Sequence, residues 1–292
     1  MKINIYYWNN GVGLVNDSIL IKCILKDYDV ITYDLLGKLS NIRKCDIGIH
    51  IQNFKLKYLD RNKINILMIN EEWTTECDIF NINQLDYIFT KSTHAKLLLN
   101  QYHKNVINTT FFSLDRYYFP SHTDKFLHFK GKSIQKNTEL IKNIDYIKIL
   151  DSNVDYLSDN EITNNLNTHD IHICCSLYEG WGHYLWEAMS CGKLVICSEI
   201  PVFKEYLDPN LVIFIPTEKI VKFDKNHQFL NQTEYPLREG HFINERIFNE
   251  VLENKEYLFE FQKNNKDNIK NYFLEVTNKN KYNFLKIINN LI

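Results

Sequence analysis

The chain has 292 residues, 45% of them hydrophobic, with 34 basic against 36 acidic side chains and a formal net charge of -2. That length is enough for a large core and sits where single cores give way to two domains. A near-neutral balance without a dense basic run lacks the electrostatic footprint that nucleic-acid binding needs, and no stretch approaches the ~20 apolar residues of a membrane span.

In chain order, the first 120 residues alternate β-branched or aromatic runs with helical patterns. The runs are KINIYYW (2–8), DVITY (29–33), CDIGIHI (45–51), INILMIN (64–70), LDYIFTKS (85–92) and NVINTTFF (105–112), with helices near 18–27 and 93–103. Ile- and Val-rich strands separated by helices predict a parallel sheet buried on both faces, a Rossmann-like half. The pattern breaks near Phe119-Pro120-Ser121 and restarts with KFLHFKG (125–131), a helix from about Thr138, YIKIL (146–150), a helix near 161–168, DIHICCS (170–176), a helix near 184–191, LVICS (194–198) and NLVIFI (210–215). This second α/β unit is followed, after about residue 240, by charged helical sequence. The chain ends in a helix with Phe284, Leu285, Ile287, Ile288 and Leu291 on one face.

Between strand DIHICCS and the next helix lie Glu179, Gly180, Trp181, Gly182 and His183, with Glu187 one turn into the helix and Gly192 as its C-terminal cap. A glycine turn that opens a helix presents unsatisfied N–H groups at the positive end of a dipole, a ready site for a diphosphate. His183 and Glu187, four apart, share a face. Two glutamates at one spacing are by themselves weak evidence, since a carboxylate near a helix start is common.

The stretch EGWGHYLWEAMSCGKLVICSEIPVFKE (179–205) resembles the E-x7-E segment of the group 1 glycosyltransferases, retaining nucleotide-sugar enzymes of the GT-B fold. KFLHFKGKSIQKNTELI (125–141) resembles the opening of that family's nucleotide-binding domain, and SLDRYYFP (113–120) its interdomain segment. MINEEW (68–73) and DYIFTKSTHAKLL (86–98) resemble its N-terminal cleft segments, and GVG (11–13) its glycine loop. Here Lys132 precedes Lys136 by four, where the family has an arginine five before the lysine, and Asn137 stands where glycine is usual.

The resemblance implies an α/β GT-B protein: two Rossmann-like domains with parallel sheets facing a central cleft. The N-terminal acceptor domain would span 1–122, the nucleotide-sugar domain 123–275, and a C-terminal helix 276–292 would pack back on the N-terminal domain. It implies a retaining, metal-independent hexosyltransferase that takes a hexose from a nucleotide sugar, UDP-glucose or another UDP-hexose first. The acceptor would be a glycan, a protein or a small molecule, and no cofactor beyond the co-substrate is expected. Glu179 would act at the donor sugar near its reacting carbon and Glu187 at the ribose hydroxyls. Lys132, Lys136 and the turn Gly180, Trp181, Gly182 and His183 would take the diphosphate. Candidates for the acceptor side of the cleft are Gly11, Gly13, Asn70, Glu72, Trp73, Lys91 and His94. A nucleotide-sugar or glycan binding protein that has lost turnover, and a GT-B epimerase, are the alternatives on the same scaffold. Seven scattered cysteines without a CxxC pair predict reduced thiols, and the expectation is a cytoplasmic protein without an integral membrane segment.

Overall fold

The computed structural model describes residues 1–9, 13–37, 39, 41–71, 74, 80–119, 123–131, 134–151, 154, 155, 157–222 and 239–291. Among them, the first parallel sheet has six strands, β1 (Lys2–Tyr7), β2 (Asp29–Asp34), β3 (Cys45–Ile51), β4 (Asn62–Met68), β5 (Tyr87–Thr90) and β6 (Val106–Asn108), in the order β2-β1-β3-β4-β5-β6. Its helices include α1 (Gly13–Ile24) and α2 (Thr93–Leu99). The second parallel sheet has five strands, β7 (Phe126–Phe129), β8 (Ile147–Leu150), β9 (Ile171–Cys174), β10 (Leu194–Ser198) and β11 (Ile213–Ile215), in the order β11-β10-β9-β7-β8. With it go α3 (Asp159–Asn167), α4 (His183–Ser190) and α5 (Pro201–Tyr206). The chain then forms an antiparallel pair, β12 (Thr217–Lys222) with β13 (Glu239–Ile243), which the periodicity did not suggest, and ends in α6 (Glu245–Glu253) and α7 (Lys255–Asn290).

Several boundaries differ from the sequence expectations for physical reasons. Helix α1 starts at Gly13 rather than near 18 because two polar residues of its first turns, Asp17 and Ser18, are buried, which hides the apolar period. No α-helix forms from Thr138. Asn137 adopts the left-handed conformation at φ 56°, and the chain makes two short 3-10 turns, Ile134–Lys136 and Thr138–Leu140. Asparagine tolerates that conformation better than other side-chain-bearing residues, so it can stand in for a glycine here.

Helix α7 is unbroken over 36 residues, about 54 Å, so the terminal segment is the end of one long helix and not a separate element. It starts against the second sheet, where Gln262 Nε2 donates to the Gly192 carbonyl at 2.9 Å. A Cβ on Gly192, which sits at φ +67°, would lie 2.8 Å from the Lys266 carbonyl, so the close approach requires glycine. Farther along, Lys270 pairs with Asp115 at 2.5 Å and Asn280 Nδ2 donates to the Phe111 carbonyl at 2.7 Å. Phe284 then seats edge-on against Phe89 of the first sheet and Phe112 of the connecting segment, with ring centroids 6.2 and 6.0 Å away. The main apolar core therefore runs through both sheets and α7 without interruption.

At the outer edge of the boundary, the first amide of α2 is capped by Glu205 from α5, with Thr93 N at 2.8 and 2.9 Å from the two carboxylate oxygens and Thr93 Oγ1 at 2.6 Å. Phe284→Ala should cost about 3–5 kcal/mol, because the cavity opens where three segments meet and none can collapse alone. Urea unfolding followed by circular dichroism measures it, and a loss under 1 kcal/mol would show that α7 does not hold the two sheets together.

Candidate active site

In open α/β sheets ligands bind outside the carboxyl ends of strands where the order reverses. In the second sheet that point lies between β7 and β9, and the two loops leaving it are joined: Leu177 N donates to the Gln135 carbonyl at 2.8 Å. Glu179 stands in the β9 loop. Ser176 Oγ donates to its Oε1 at 2.7 Å, and the Lys136 ammonium from the β7 loop pairs with the same oxygen. The β13 strand holds the loop from the other side, His241 N donating to the Leu177 carbonyl at 2.8 Å.

Glu179 borders two hollows. One, of about 220 Å³, is internal to the second unit and has His128, Lys136, Ser176, Gly182 and Tyr184 around it. The other is a cleft of about 380 Å³ between the two units. It meets Glu71 and His94 from the first sheet's side and Glu239 and His241 from β13, with an apolar wall that includes Leu98, Ile200 and Val202. Burial pushes His128 down to about 4, against its bond to the Ile173 carbonyl, and its other nitrogen faces the Thr138 hydroxyl at 2.9 Å. It braces the loop as a neutral ring.

Gly182 is the N-cap of α4 at φ +82°, and a Cβ there would fall 2.6 Å from the Phe203 ring. Only glycine makes this turn, which places the start of α4, with the positive end of its dipole, beside the smaller hollow. The residues on either side of Gly182 turn away from it. Trp181 is buried, stacks on Trp186 at 5.1 Å and donates its indole N–H to Ser113 Oγ at 3.0 Å. His183 faces Ser113 at Nδ1 and Asp17 at Nε2, both at 2.9 Å. The backbone of Trp181 and His183, not their rings, is thus what the turn can offer a ligand.

Lys91 is likewise committed: its ammonium is 2.7 Å from Asp17 Oδ2, both side chains at most 3% exposed. Burial alone would raise the Asp17 carboxyl, but Lys91 and the His183 N–H outweigh it and hold it down at about 2.

Glu187 does share the His183 face, and what it meets is Arg116 Nε at 3.0 Å from Oε2. The Arg116 guanidinium also pairs with Asp159, while its backbone N–H donates to Ser190 Oγ at 2.9 Å. Burial pushes the Glu187 carboxyl up despite Arg116, so the pair holds an ion in a place that resists it.

Of the remaining candidates, His94 is exposed at the cleft, Asn70 is buried with its N–H on Gln52 Oε1 at 2.8 Å, and Gly13 opens α1. Gly11, Glu72, Trp73 and Lys132 lie outside the described residues. The structure adds Asp17, Glu71, Ser113, Arg116, Ser176, Glu239 and His241. Ser113 and Arg116 stand in the interdomain segment already singled out by its resemblance, but Asp17 carries no local signal, because its partner His183 is 166 positions away.

The family model described as glycosyl transferases group 1 matches residues 121–235. That matched segment, which carries the second parallel sheet, is similar to group 1 glycosyltransferases. No curated protein matches it in sequence. Solved structures with the same fold include a glycosyltransferase from Rickettsia africae ESF-5, 12% identical, with a TM-score of 0.60 over 98% of this chain and 97% of that one. Sucrose-phosphate synthase from Thermosynechococcus elongatus is 9% identical, with a TM-score of 0.61 over 99% of each chain. Anabaena HepE in complex with UDP and glucose is 12% identical, with a TM-score of 0.60 over 96% of this chain and 98% of that one. At such identities the likeness shows the fold, the two Rossmann-like parallel sheets of GT-B.

Two outcomes follow from the buried charges. Glu187→Ala leaves the Arg116 guanidinium with only the exposed Asp159 as an ionic partner among the described residues and should lower stability by about 3 kcal/mol, more than Glu187→Gln does, by urea unfolding. Asp17, depressed to about 2, should contribute on the order of 2 kcal/mol above about pH 4, lost as pH falls toward 2. The stability difference between wild type and Asp17→Asn should therefore shrink over that window. A constant difference would show that Asp17 keeps an ordinary carboxyl in the fold.

Proposed function

We propose that this glycosyltransferase moves a hexose from a nucleoside-diphosphate sugar to an acceptor hydroxyl, with retention of the anomeric configuration and without a metal ion. The observation that supports this most is Glu179, fixed by Ser176 and Lys136 at the switch point of the second sheet and bordering both hollows. A carboxylate so placed accepts hydroxyl bonds from a sugar lodged at the mouth of the smaller hollow, each worth roughly 1.5–3 kcal/mol. Lys136 and the first amides of α4 supply positive charge where the diphosphate departs, which supports the metal-independent reading.

In this mechanism the bond from the anomeric carbon to the acceptor oxygen forms on the face from which the bond to the diphosphate oxygen breaks. The acceptor proton passes to the departing diphosphate, so no side chain is needed as a dedicated base. Glu187, one turn below, takes the ribose hydroxyls, with Arg116 Nε at 3.0 Å offsetting part of the burial that pushes its carboxyl up. A UDP-hexose is the first donor, a reading supported by the fold shared with Anabaena HepE, described in complex with UDP and glucose; GDP-mannose comes second. Six described cysteines are free, five of them buried, which supports a reducing cytoplasmic setting.

The test is nucleoside diphosphate release from UDP-, GDP-, ADP- and dTDP-sugars in EDTA, wild type against Glu179→Gln, with product configuration read by proton NMR. Release from one donor, reduced at least tenfold in the variant, is expected. Equal release by both proteins would remove Glu179 from the chemistry, and an inverted product would remove retention. For Glu187, UDP affinity unchanged in Glu187→Gln would sink the ribose role.

A further inference from the structure

Resting on that reading of the donor turn, we infer that Asp17, in the first helix of the first sheet, is a positioning residue for the turn carried by the second. Its carboxylate ends a directed chain of hydrogen bonds that crosses the boundary. Trp181 Nε1–H donates to Ser113 Oγ at 3.0 Å, the Ser113 hydroxyl faces His183 Nδ1 at 2.9 Å, and His183 Nε2 faces Asp17 Oδ1 at 2.9 Å. Since a carboxylate oxygen can only accept, Nε2 carries a proton, and in the neutral ring Nδ1 accepts from the serine. Lys91 fills the other oxygen of Asp17 at 2.7 Å. Every donor in the chain then has an acceptor.

The chain grips both neighbours of Gly182 and nothing else in the turn. Residue 181 is fixed through Ser113 and its stack on Trp186, and residue 183 through Ser113 and Asp17. Gly182 itself, at φ +82°, has the broad conformational freedom of any glycine and would otherwise let the amides of 180–183 point several ways. Phe111 closes the network with its ring 4.1 Å under the Lys91 ammonium and edge-on to His183 at 5.7 Å, which shields the bonds from water and strengthens them. A buried ion pair such as Asp17–Lys91 gains little stability over apolar packing. Its use is to present one carboxylate oxygen, already desolvated and oriented, to the residue that begins α4. The donor turn is thereby competent only while the two sheets are in register, which couples donor handling to the closed arrangement of the domains.

The experiment compares full-length wild type with Ser113→Ala, His183→Leu and His183→Gln, the last keeping a side-chain N–H that can reach Asp17. Kinetics use the donor accepted by wild type, with UDP-glucose as the first probe, and amide spectra of the ligand-free proteins report Gly180 and Gly182. His183→Leu and Ser113→Ala should lower kcat about 10- to 100-fold with KM for the donor little changed, and should shift both glycine amides; His183→Gln should recover most of kcat and the wild-type shifts. A wild-type kcat with unshifted amides in His183→Leu would overturn the inference, and so would a Gln variant as impaired as the Leu variant. If wild type releases nothing from any donor, the transferase reading fails by itself and the glycine amides still decide the positioning role. Should His183→Leu not fold, as judged by circular dichroism, the Ser113→Ala and Asp17→Asn spectra carry the same test.

Discussion

An ion buried where two domains meet has to be paired, and in this protein the pairing decides which segments come together. Three cationic groups are drawn into low-dielectric surroundings, Lys91 to Asp17, Arg116 to Glu187 and Lys193 to Asp170. Each would be costly alone, because desolvation outweighs any gain until a carboxylate with good geometry faces it. The first two pairs bracket α4, one at its entrance through His183 and one at its middle through Glu187. The third lies under the crossing segment, where the amides of Thr123 and Asp124 also use Asp170. Apolar burial along α7 supplies the cohesion, and the ion pairs supply the register.

The two glutamates of the turn illustrate how environment separates roles that spacing leaves alike. Glu179 lines two hollows, with one oxygen held by a serine and a lysine. Glu187, eight positions on, is packed against a guanidinium that the interdomain segment delivers. One carboxylate lines the hollows. The other ties the helix that carries the turn to the segment that joins the domains, so a ribose at that position would be read by a group already committed to the architecture.

Much of the site was legible beforehand. The glycine cap at Gly192 and the strand runs 45–51 and 194–198 follow from local rules of strand composition and helix capping, and the E-x7-E stretch stands out by its resemblance to a known family. The partners of those residues were not legible. Lys91 reads as a cleft lysine at the end of a strand, yet it is buried, because Asp17 projects from a helix whose register the sequence obscures. Trp181 reads as a donor contact, yet its ring fills the boundary, where it stacks on Trp186, meets Tyr206 and Phe111, and donates its N–H to Ser113. The antiparallel pair of β12 and β13 is not apparent in the sequence because its strands alternate weakly, and it holds the β9 loop through a backbone bond to Leu177.

By itself the sequence determined the α/β class, the two sheets and the glycine turn, because those depend on periodicity and on residues within a few positions of each other, while the chemistry it suggested rested on a resemblance to a known family. Tertiary structure alone decided which charges meet, that Glu187 faces Arg116 and not open solvent, and that a residue of the first sheet orders a turn of the second. The reason is physical: hydrogen bonds and ion pairs act over about 3 Å, and segments separated by more than a hundred positions come within that distance only after apolar burial has closed the two units on each other.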